Sequence, residues 1–290
     1  MKYREILLSG EERLAKQDIF DSKNDAWLLF EYIFDIPRHK YFMISSDECN
    51  DDKLKEDYFA AIDVRASHIP LQHITKTQDF MGMTFKVNEH VLIPRQDTEV
   101  LVEKALSVME DGDKVLDMCT GSGCIAISIA KLKNVDVTAV DISGEALKVS
   151  RENAANLGAT NVKFIESNLF EKIKEDSTSK KCKKYDIIVS NPPYIKSLDI
   201  EELMVEVKEH EPRLALDGDE DGLKFYNAIT KEAKEFLKTG GYLIYEIGCD
   251  QGDDLRRIME ENGFIDIEII KDLAGLDRVC FGVKSVIKKG

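Results

Sequence analysis

Patterns for binding metal or closing disulfides are missing from this 290-residue chain. The six cysteines, at 49, 119, 124, 182, 249 and 280, include no Cys-x-x-Cys pair, and the five histidines, at 39, 68, 73, 90 and 210, include no His-x-x-x-His. Neither a zinc site nor a disulfide framework is indicated. The cysteines read as small buried hydrophobes or free thiols of a reducing compartment. Positive charge is also short: 40 Lys and Arg against 55 Asp and Glu leave a formal net charge of −15. That disfavours a broad nucleic-acid footprint, which draws its affinity from Lys and Arg on phosphates, while leaving a local basic groove open. No apolar run approaches the roughly 18 residues of a membrane span, and Met1 to Gly10 lacks the apolar core of a signal peptide. The expected location is cytoplasmic. What remains is the balance of a globular protein, 43% hydrophobic and 33% charged, long enough for one large domain or for a small one beside an ordinary one.

Helical spacing dominates the first 75 or so residues, with apolar positions three or four apart in Tyr3 to Gln17, Asp25 to Phe34 and Lys53 to Ser67. This predicts a helical bundle over 1–75, with the single Trp27 in its core. A β-hairpin linker is expected over 76–94, with strands Phe80 to Val87 and His90 to Ile93 around an Asn88-Glu89 turn. A helix follows from about Asp97, opening a catalytic domain over 95–290. From residue 113 onward, strand-like runs alternate with helical patterns: Lys114 to Met118, Val135 to Asp141, Val162 to Glu166, Tyr185 to Ser190 and Tyr242 to Ile247. That is an α/β pattern, a mostly parallel sheet with crossover helices. Phe264 to Ile270 and Arg278 to Val283 are separated by too few residues for a parallel crossover, so the last strand is expected to be antiparallel. Glu171 to Lys184, the most polar segment, reads as a solvated loop.

Proline is scarce, six in all, yet two stand side by side in Asn191-Pro192-Pro193-Tyr194, directly after the fourth of these strands. Proline fixes φ and drives the residue before it out of the helical region, so Asn191 and Pro192 are both held extended. The loop is stiff. It offers two neutral acceptors, the Asn191 side-chain oxygen and the Pro192 carbonyl, which suit the two N–H protons of a planar NH2 group. Tyr194 can add a flat wall. The alternative is a Pro-Pro turn that ends a strand.

A second constellation precedes it. Lys114-Val-Leu-Asp-Met118 runs into Cys119-Thr120-Gly121-Ser122-Gly123 and then into an apolar helical pattern from Cys124. Gly121 and Gly123 permit positive φ and close backbone approach, so the loop can wrap a polar ligand at a helix N-terminus. Asp141 ends the next strand, where a carboxylate can accept from the ribose hydroxyls of a nucleoside. Gly121 to Ala126 also fits G-x-G-x-x-A, so the loop alone does not separate a dehydrogenase from a methyltransferase. Asp117, placed to orient the loop or a ligand, and Asn191-Pro-Pro-Tyr194, which has no role in hydride transfer, tilt the choice towards methyl transfer.

With these residues in hand, the chain resembles the class I methyltransferases that use S-adenosylmethionine. Among them it is similar to the PrmC (HemK) family, which methylates the side-chain amide of the glutamine of the GGQ motif in class 1 peptide chain release factors. Besides the two motifs above, the resemblance is carried by Ile69-Pro-Leu-Gln-His-Ile74, Val91-Leu-Ile-Pro-Arg95, Thr98-Glu99, Glu211-Pro-Arg-Leu-Ala-Leu-Asp-Gly218, Glu246-Ile-Gly248 with Gln251, and Asp277-Arg278. It implies a Rossmann-like sheet and S-adenosylmethionine as cofactor, with Asp117, Cys119, Thr120, Gly121, Ser122 and Gly123 around its methionine part. Asp141 and Ile142 would hold the ribose side, Asn168 and Leu169 the adenine side, and Asn191 would border both cofactor and substrate. Asn191, Pro192, Pro193 and Tyr194 would bind the substrate, with Asn191, Pro192 and Tyr194 catalytic. The amino-terminal bundle would help recognise the release factor. The chain departs from the family at Cys119, where many relatives have glycine, at Asn168, where many have an acid, and at Gln96-Asp97 in place of Pro-Glu. The rival reading is a nucleic-acid amino-methyltransferase acting on the exocyclic amine of adenine, which presents the same NH2 geometry.

Overall fold

In a computed structural model the described residues are 1–176 and 184–285. They divide into two compact units, Met1–Thr77 with Met204–His210, and Gln78–Leu203 with the chain from Glu211 onward. The first unit is helical: Tyr3–Ala15, Ser22–Phe34, Arg38–Ile44, Asp52–Ala66 and Leu71–Thr75. Its centre is aromatic. Phe30 stacks on Phe34 and on Trp27, and Tyr41 and Tyr58 meet Phe30 edge-on, so Trp27 is a core residue as the periodicity required. Arg65 is buried in this unit and is held by two carboxylates, Asp25 at 2.7 Å and Glu206 at 3.0 Å. An unpaired cation there would be strongly unfavourable, which explains why two acids converge on it.

The hairpin lies earlier than the sequence suggested. Strands β1 (Thr77–Phe80) and β2 (Met83–Lys86) form a two-stranded sheet, and the turn is Met81-Gly82, both with positive φ. Two consecutive left-handed residues make the turn that matches strand twist, and glycine is the residue that adopts it freely. Residues His90 to Ile93 are not a strand.

The main sheet contains β3 (Lys114–Met118), β4 (Asp136–Asp141), β5 (Val162–Glu166), β6 (Tyr185–Ser190), β7 (Leu237–Glu246), β8 (Phe264–Lys271) and β9 (Asp277–Lys284) in the order β5-β4-β3-β6-β7-β9-β8. The first five run parallel, and β9 pairs antiparallel with β7 on one side and β8 on the other. Buried helices cover both faces, which is why β3 and β6 read as continuous apolar runs rather than as alternations. The strand order reverses between β3 and β6, and in open α/β sheets ligands bind at that reversal, beyond the carboxyl ends of the strands. All four candidate segments lie at those ends. Residues 119–123 follow β3, Asp141 ends β4, Asn168 follows β5 and Asn191 follows β6.

Two further departures concern polar segments. Glu171–Asp176 is a helix rather than loop, its start bonded through the Ser167 hydroxyl, which accepts from Lys172 N–H at 3.0 Å; the remainder of the expected solvated loop falls partly outside the described residues. Arg38–Ile44, which no apolar period announced, is a helix that buries none of its residues. Among the described residues no helix is long and apolar enough to cross a membrane.

Candidate active site

The loop after β3 winds through three positive-φ residues, Cys119 at 64°, Gly121 at 55° and Gly123 at 82°. Its two glycines serve different ends. A Cβ at Gly121 would meet nothing within 4 Å, whereas one at Gly123 would stand 2.9 Å from both Ile127 Cδ1 and Ser150 Cβ. Gly121 therefore leaves room for a ligand, and Gly123 lets the helices Cys124–Leu132 and Gly144–Leu157 approach one another. Cys119 occupies a backbone region natural to glycine, at a cost of about 1–2 kcal/mol for an L side chain. Burial pushes its thiol well up, and Asp141 and Asp117 add to this, so it is a protonated wall rather than a nucleophile.

Asp117 lies wholly buried under the loop and accepts from the Thr120 hydroxyl at 2.5 Å. Burial pushes its carboxyl up to about 7; the Thr120 hydroxyl and the Ala126 N–H oppose this, and Asp141 adds to it. Asp117 acts on the loop from behind. Asp141 braces the same loop from the cleft side, accepting from Gly121 N–H at 2.8 Å and Ser143 N–H at 2.9 Å. Burial raises its carboxyl as well, against the N–H groups of Ser143, Gly121 and Ile142. An ionised carboxylate has about four lone-pair sites, so two remain for further donors.

These residues border a cleft of about 500 Å³. Cys119, Thr120, Gly121, Ser122, Asp141 and Ile142 line it, as do Asn168, Leu169, Asn191 and Pro193. Asp117, Gly123, Pro192 and Tyr194 stand behind that lining. Asn168 donates through Nδ2 to Glu171 Oε1 at 2.8 Å, which leaves its amide oxygen as the available end.

The Asn191-Pro-Pro-Tyr194 segment is fixed from three directions. The Ser190 hydroxyl donates to the Met118 carbonyl at 2.6 Å, tying β6 to β3. Gln251 Nε2 donates to the Tyr194 carbonyl at 3.0 Å, and Ile195 N–H donates to Leu216 O at 3.0 Å. Gly218 and Gly222 let a neighbouring loop press against the Tyr194 backbone, where a Cβ would fall within 2.8 Å and 2.4 Å of it respectively. None of the hydrogen bonds among the described residues uses the Pro192 carbonyl. Tyr194 itself turns away from the cleft lining, and its hydroxyl donates to Glu246 Oε1 at 3.3 Å.

Among the supporting residues Asn153 escaped sequence reasoning, whereas Arg95, Thr98, Glu211 and Arg213 stand in segments that carry the resemblance, with contact to a ligand and surface ion pairing both open for the two arginines. Asn153, buried in the helix Gly144–Leu157, bonds to Lys86 N–H and O and to the Ser122 carbonyl at 2.7, 3.0 and 3.0 Å, stapling the loop to β2; an amide inside an otherwise apolar helix face was the available signal. Arg95 lines the cleft and pairs with Glu211, whose side chain is only 1% exposed and also accepts from Ile93 N–H at 3.2 Å. Arg213 instead pairs at the surface with Asp217 and Glu201. Thr98, 2% exposed, meets Asn191 Nδ2 at 3.5 Å.

Fold and site together define a class I methyltransferase that uses S-adenosylmethionine. Residues 109–277 match the family described as a methyltransferase domain, and residues 5–75 match the PrmC N-terminal domain. The chain is 41% identical over 290 residues to the release factor glutamine methyltransferase of Clostridium acetobutylicum, covering 98% of this chain and 99% of that one. It is 38% identical over 285 residues to the protein of the same name from Clostridium botulinum, covering 96% and 98%. The chain belongs to this family of release factor glutamine methyltransferases. Among solved structures a methyltransferase from Pyrococcus furiosus superposes with a TM-score of 0.53 at 16% identity, covering 77% of this chain and 98% of that one; it speaks to the fold alone.

The residues present fit the cofactor. A sulfonium nucleoside needs room against a loop backbone, acceptors for two ribose hydroxyls and an acceptor for the adenine amine. Gly121 has that room, Asp141 retains lone pairs after its two N–H bonds, and Asn168 has its oxygen free.

Proposed function

We propose that this chain methylates the side-chain amide nitrogen of a glutamine in a class 1 peptide chain release factor, in the cytoplasm, and so modulates translation termination. The observation that carries this reading is the placement of Asn191 in the cleft wall, its amide nitrogen turned to Thr98 and its oxygen left for a donor. The activity for which the relatives are named, with likeness over nearly the whole chain, supports the same substrate. The net charge of −15 weighs against the adenine-amine rival.

S-adenosylmethionine, when bound, supplies an electrophilic methyl group on a positively charged sulfur. Cys119 to Ser122 would hold its methionine part, Asp141 its ribose hydroxyls, and the Asn168 oxygen with Leu169 the adenine. The chain's own residues must then help a poor nucleophile, because an amide nitrogen shares its lone pair with the carbonyl. Asn191 Oδ1 and the Pro192 carbonyl accept the two N–H protons of the glutamine, turn its lone pair towards the methyl group and favour the positive charge that builds on nitrogen. Pro193 and the stiff backbone hold this alignment, and near-attack positioning is worth about 7–11 kcal/mol in favourable cases. With the methyl donor held there, the new N–C bond would form as the donor's C–S bond breaks, and the methylated nitrogen would lose one proton to water. No side-chain base is required. Tyr194 contributes by anchoring the segment through Glu246 rather than as a wall against the substrate. The amino-terminal unit, with its match over residues 5–75, takes part in recognising the release factor. Asn191→Ala tests the clamp: turnover should fall by at least about a hundredfold while cofactor affinity stays within a few fold. Unchanged turnover would sink the assignment.

A further inference from the structure

The four cleft segments stand in a row. Asn168 follows β5, Asp141 ends β4, residues 119–123 follow β3 and Asn191 follows β6, and these strands are neighbours in that order. With adenine at Asn168 and ribose at Asp141, the amino-acid end of the cofactor runs past the loop towards Asn191. That end carries a carboxylate, and a carboxylate taken out of water needs a cation or several N–H donors. The loop is poorly placed to supply them. Thr120 N–H donates to Val140 O at 2.9 Å, Gly121 N–H to Asp141 Oδ2 at 2.8 Å and Gly123 N–H to Thr120 O at 2.9 Å, so three of its N–H groups are committed. Asp117 and Asp141 both lie against the loop, and each repels a further carboxylate when ionised.

Arg95 stands at the required end. It lines the cleft one turn before Thr98, whose N–H donates to the Arg95 carbonyl at 3.1 Å, and Thr98 in turn meets Asn191. Its guanidinium donates through Nη2 to Glu211 Oε1. The Glu211 side chain is 1% exposed, and its other oxygen accepts from Ile93 N–H at 3.2 Å. The acid is sunk in the wall and tied to the main chain, and so it aims the arginine. The Arg95 side chain is 40% exposed, and among the described residues Glu211 is its one hydrogen-bond partner, which leaves most of its five N–H donors free. Two other arginines beside mostly buried acids are doubly paired: Arg65 with Asp25 and Glu206, and Arg278 with Asp272 and Asp97. Arg95 has one acid and a side open to the cleft. Lys224, which also lines the cleft, is engaged by Asp219 at 2.8 Å. We propose that Arg95, aimed by Glu211, receives the methionine carboxylate of the cofactor as its second acid. This rests on residues 119–123 holding the methionine part.

Calorimetry on the full-length protein with two ligands tests this: S-adenosylhomocysteine and its decarboxylated analogue S-adenosyl-3-thiopropylamine, which differ only in the carboxylate. Arg95→Gln alone would leave Glu211 buried without its cation, so it is combined with Glu211→Gln and compared with Glu211→Gln by itself. Glutamine at 211 still accepts from Arg95, and that single variant should bind S-adenosylhomocysteine within about threefold of wild type. Adding Arg95→Gln should then weaken S-adenosylhomocysteine about tenfold or more, as expected for a lost charge-assisted bond, and the amine analogue less than about twofold. Arg95→Lys keeps the charge without the fork and should give a smaller loss for S-adenosylhomocysteine alone; it carries the test if the double variant fails to fold. Lys224→Ala should leave the ratio of the two affinities unchanged, and a loss there in place of one at Arg95 would overturn the proposal. Equal weakening of both ligands by the double variant would also overturn it, since Arg95 would then shape the cleft without meeting the carboxylate. So would an unchanged affinity for S-adenosylhomocysteine beside a raised KM for release factor, which would give Arg95 to the protein substrate. Asp141→Ala tests the placement beneath: it should weaken both ligands alike, and two unchanged affinities would bring down that placement and this inference with it.

Discussion

Replacing Asp117 by Asn should make the catalytic unit's stability less sensitive to pH, with a sign and size that follow from burial. The carboxyl is fully buried and pushed up to about 7 from an ordinary 3.8. Between those values the folded chain keeps a proton that the unfolded chain has lost, so stability falls as pH rises through the interval and the whole penalty is present above it. At about 1.4 kcal/mol for each tenfold, the interval from 3.8 to about 7 amounts to about 4 kcal/mol. About 3 kcal/mol of that falls between pH 5 and pH 8. Asparagine has no charge to bury, and its oxygen can still accept from the Thr120 hydroxyl. Relative to wild type, Asp117→Asn should therefore gain about 3 kcal/mol between pH 5 and pH 8, whatever fixed cost it brings. Urea unfolding followed by far-ultraviolet circular dichroism is the suitable assay, since the single Trp27 lies in the amino-terminal unit and reports on that one. Parallel stability–pH curves for the two proteins would refute the reasoning.

Three other outcomes are expected. Gly123→Ala places a Cβ 2.9 Å from two side-chain carbons at a φ of 82°, and should destabilise by about 2–4 kcal/mol in thermal or urea melts. Gly121→Ala meets open space and should lose only about 1–2 kcal/mol, yet its methyl points into the cleft and should weaken cofactor binding, measured by calorimetry, more than Gly123→Ala does in the folded fraction. Arg95→Ala leaves Glu211 buried without its cation; a loss of about 2 kcal/mol at neutral pH, reduced from the fully buried case because Arg95 is 40% exposed, should shrink as pH falls and Glu211 protonates.

The central strands β3 and β6 are readable because a strand buried on both faces shows itself as a nearly unbroken apolar run, and they end where the residues say, as does the half-buried edge strand β5. The expected hairpin lies too late in the chain because Asn88-Glu89 also has turn-forming chemistry, whereas Gly82 supplies the left-handed residue that the tight turn needs. The helices Arg38–Ile44 and Glu171–Asp176 are short and bury little, so they leave no apolar period to read. The site divides along the same line. Its loop and its Asn-Pro-Pro-Tyr segment are dictated by local backbone chemistry and stand out in sequence. Thr98, Asn153 and Glu246 act across chain separations of 93, 67 and 52 residues, which only the sheet brings together.

The central claim is that the cleft between the loop after β3 and Asn191 delivers a methyl group to a glutamine side chain of a release factor. Incubating the purified protein with S-adenosylmethionine and an unmethylated class 1 release factor, followed by peptide mass spectrometry, tests it directly. A single added methyl on one glutamine side chain, abolished by Asn191→Ala, is the predicted result. An unmodified release factor, with methyl groups appearing on adenine amines of added nucleic acid, would contradict it.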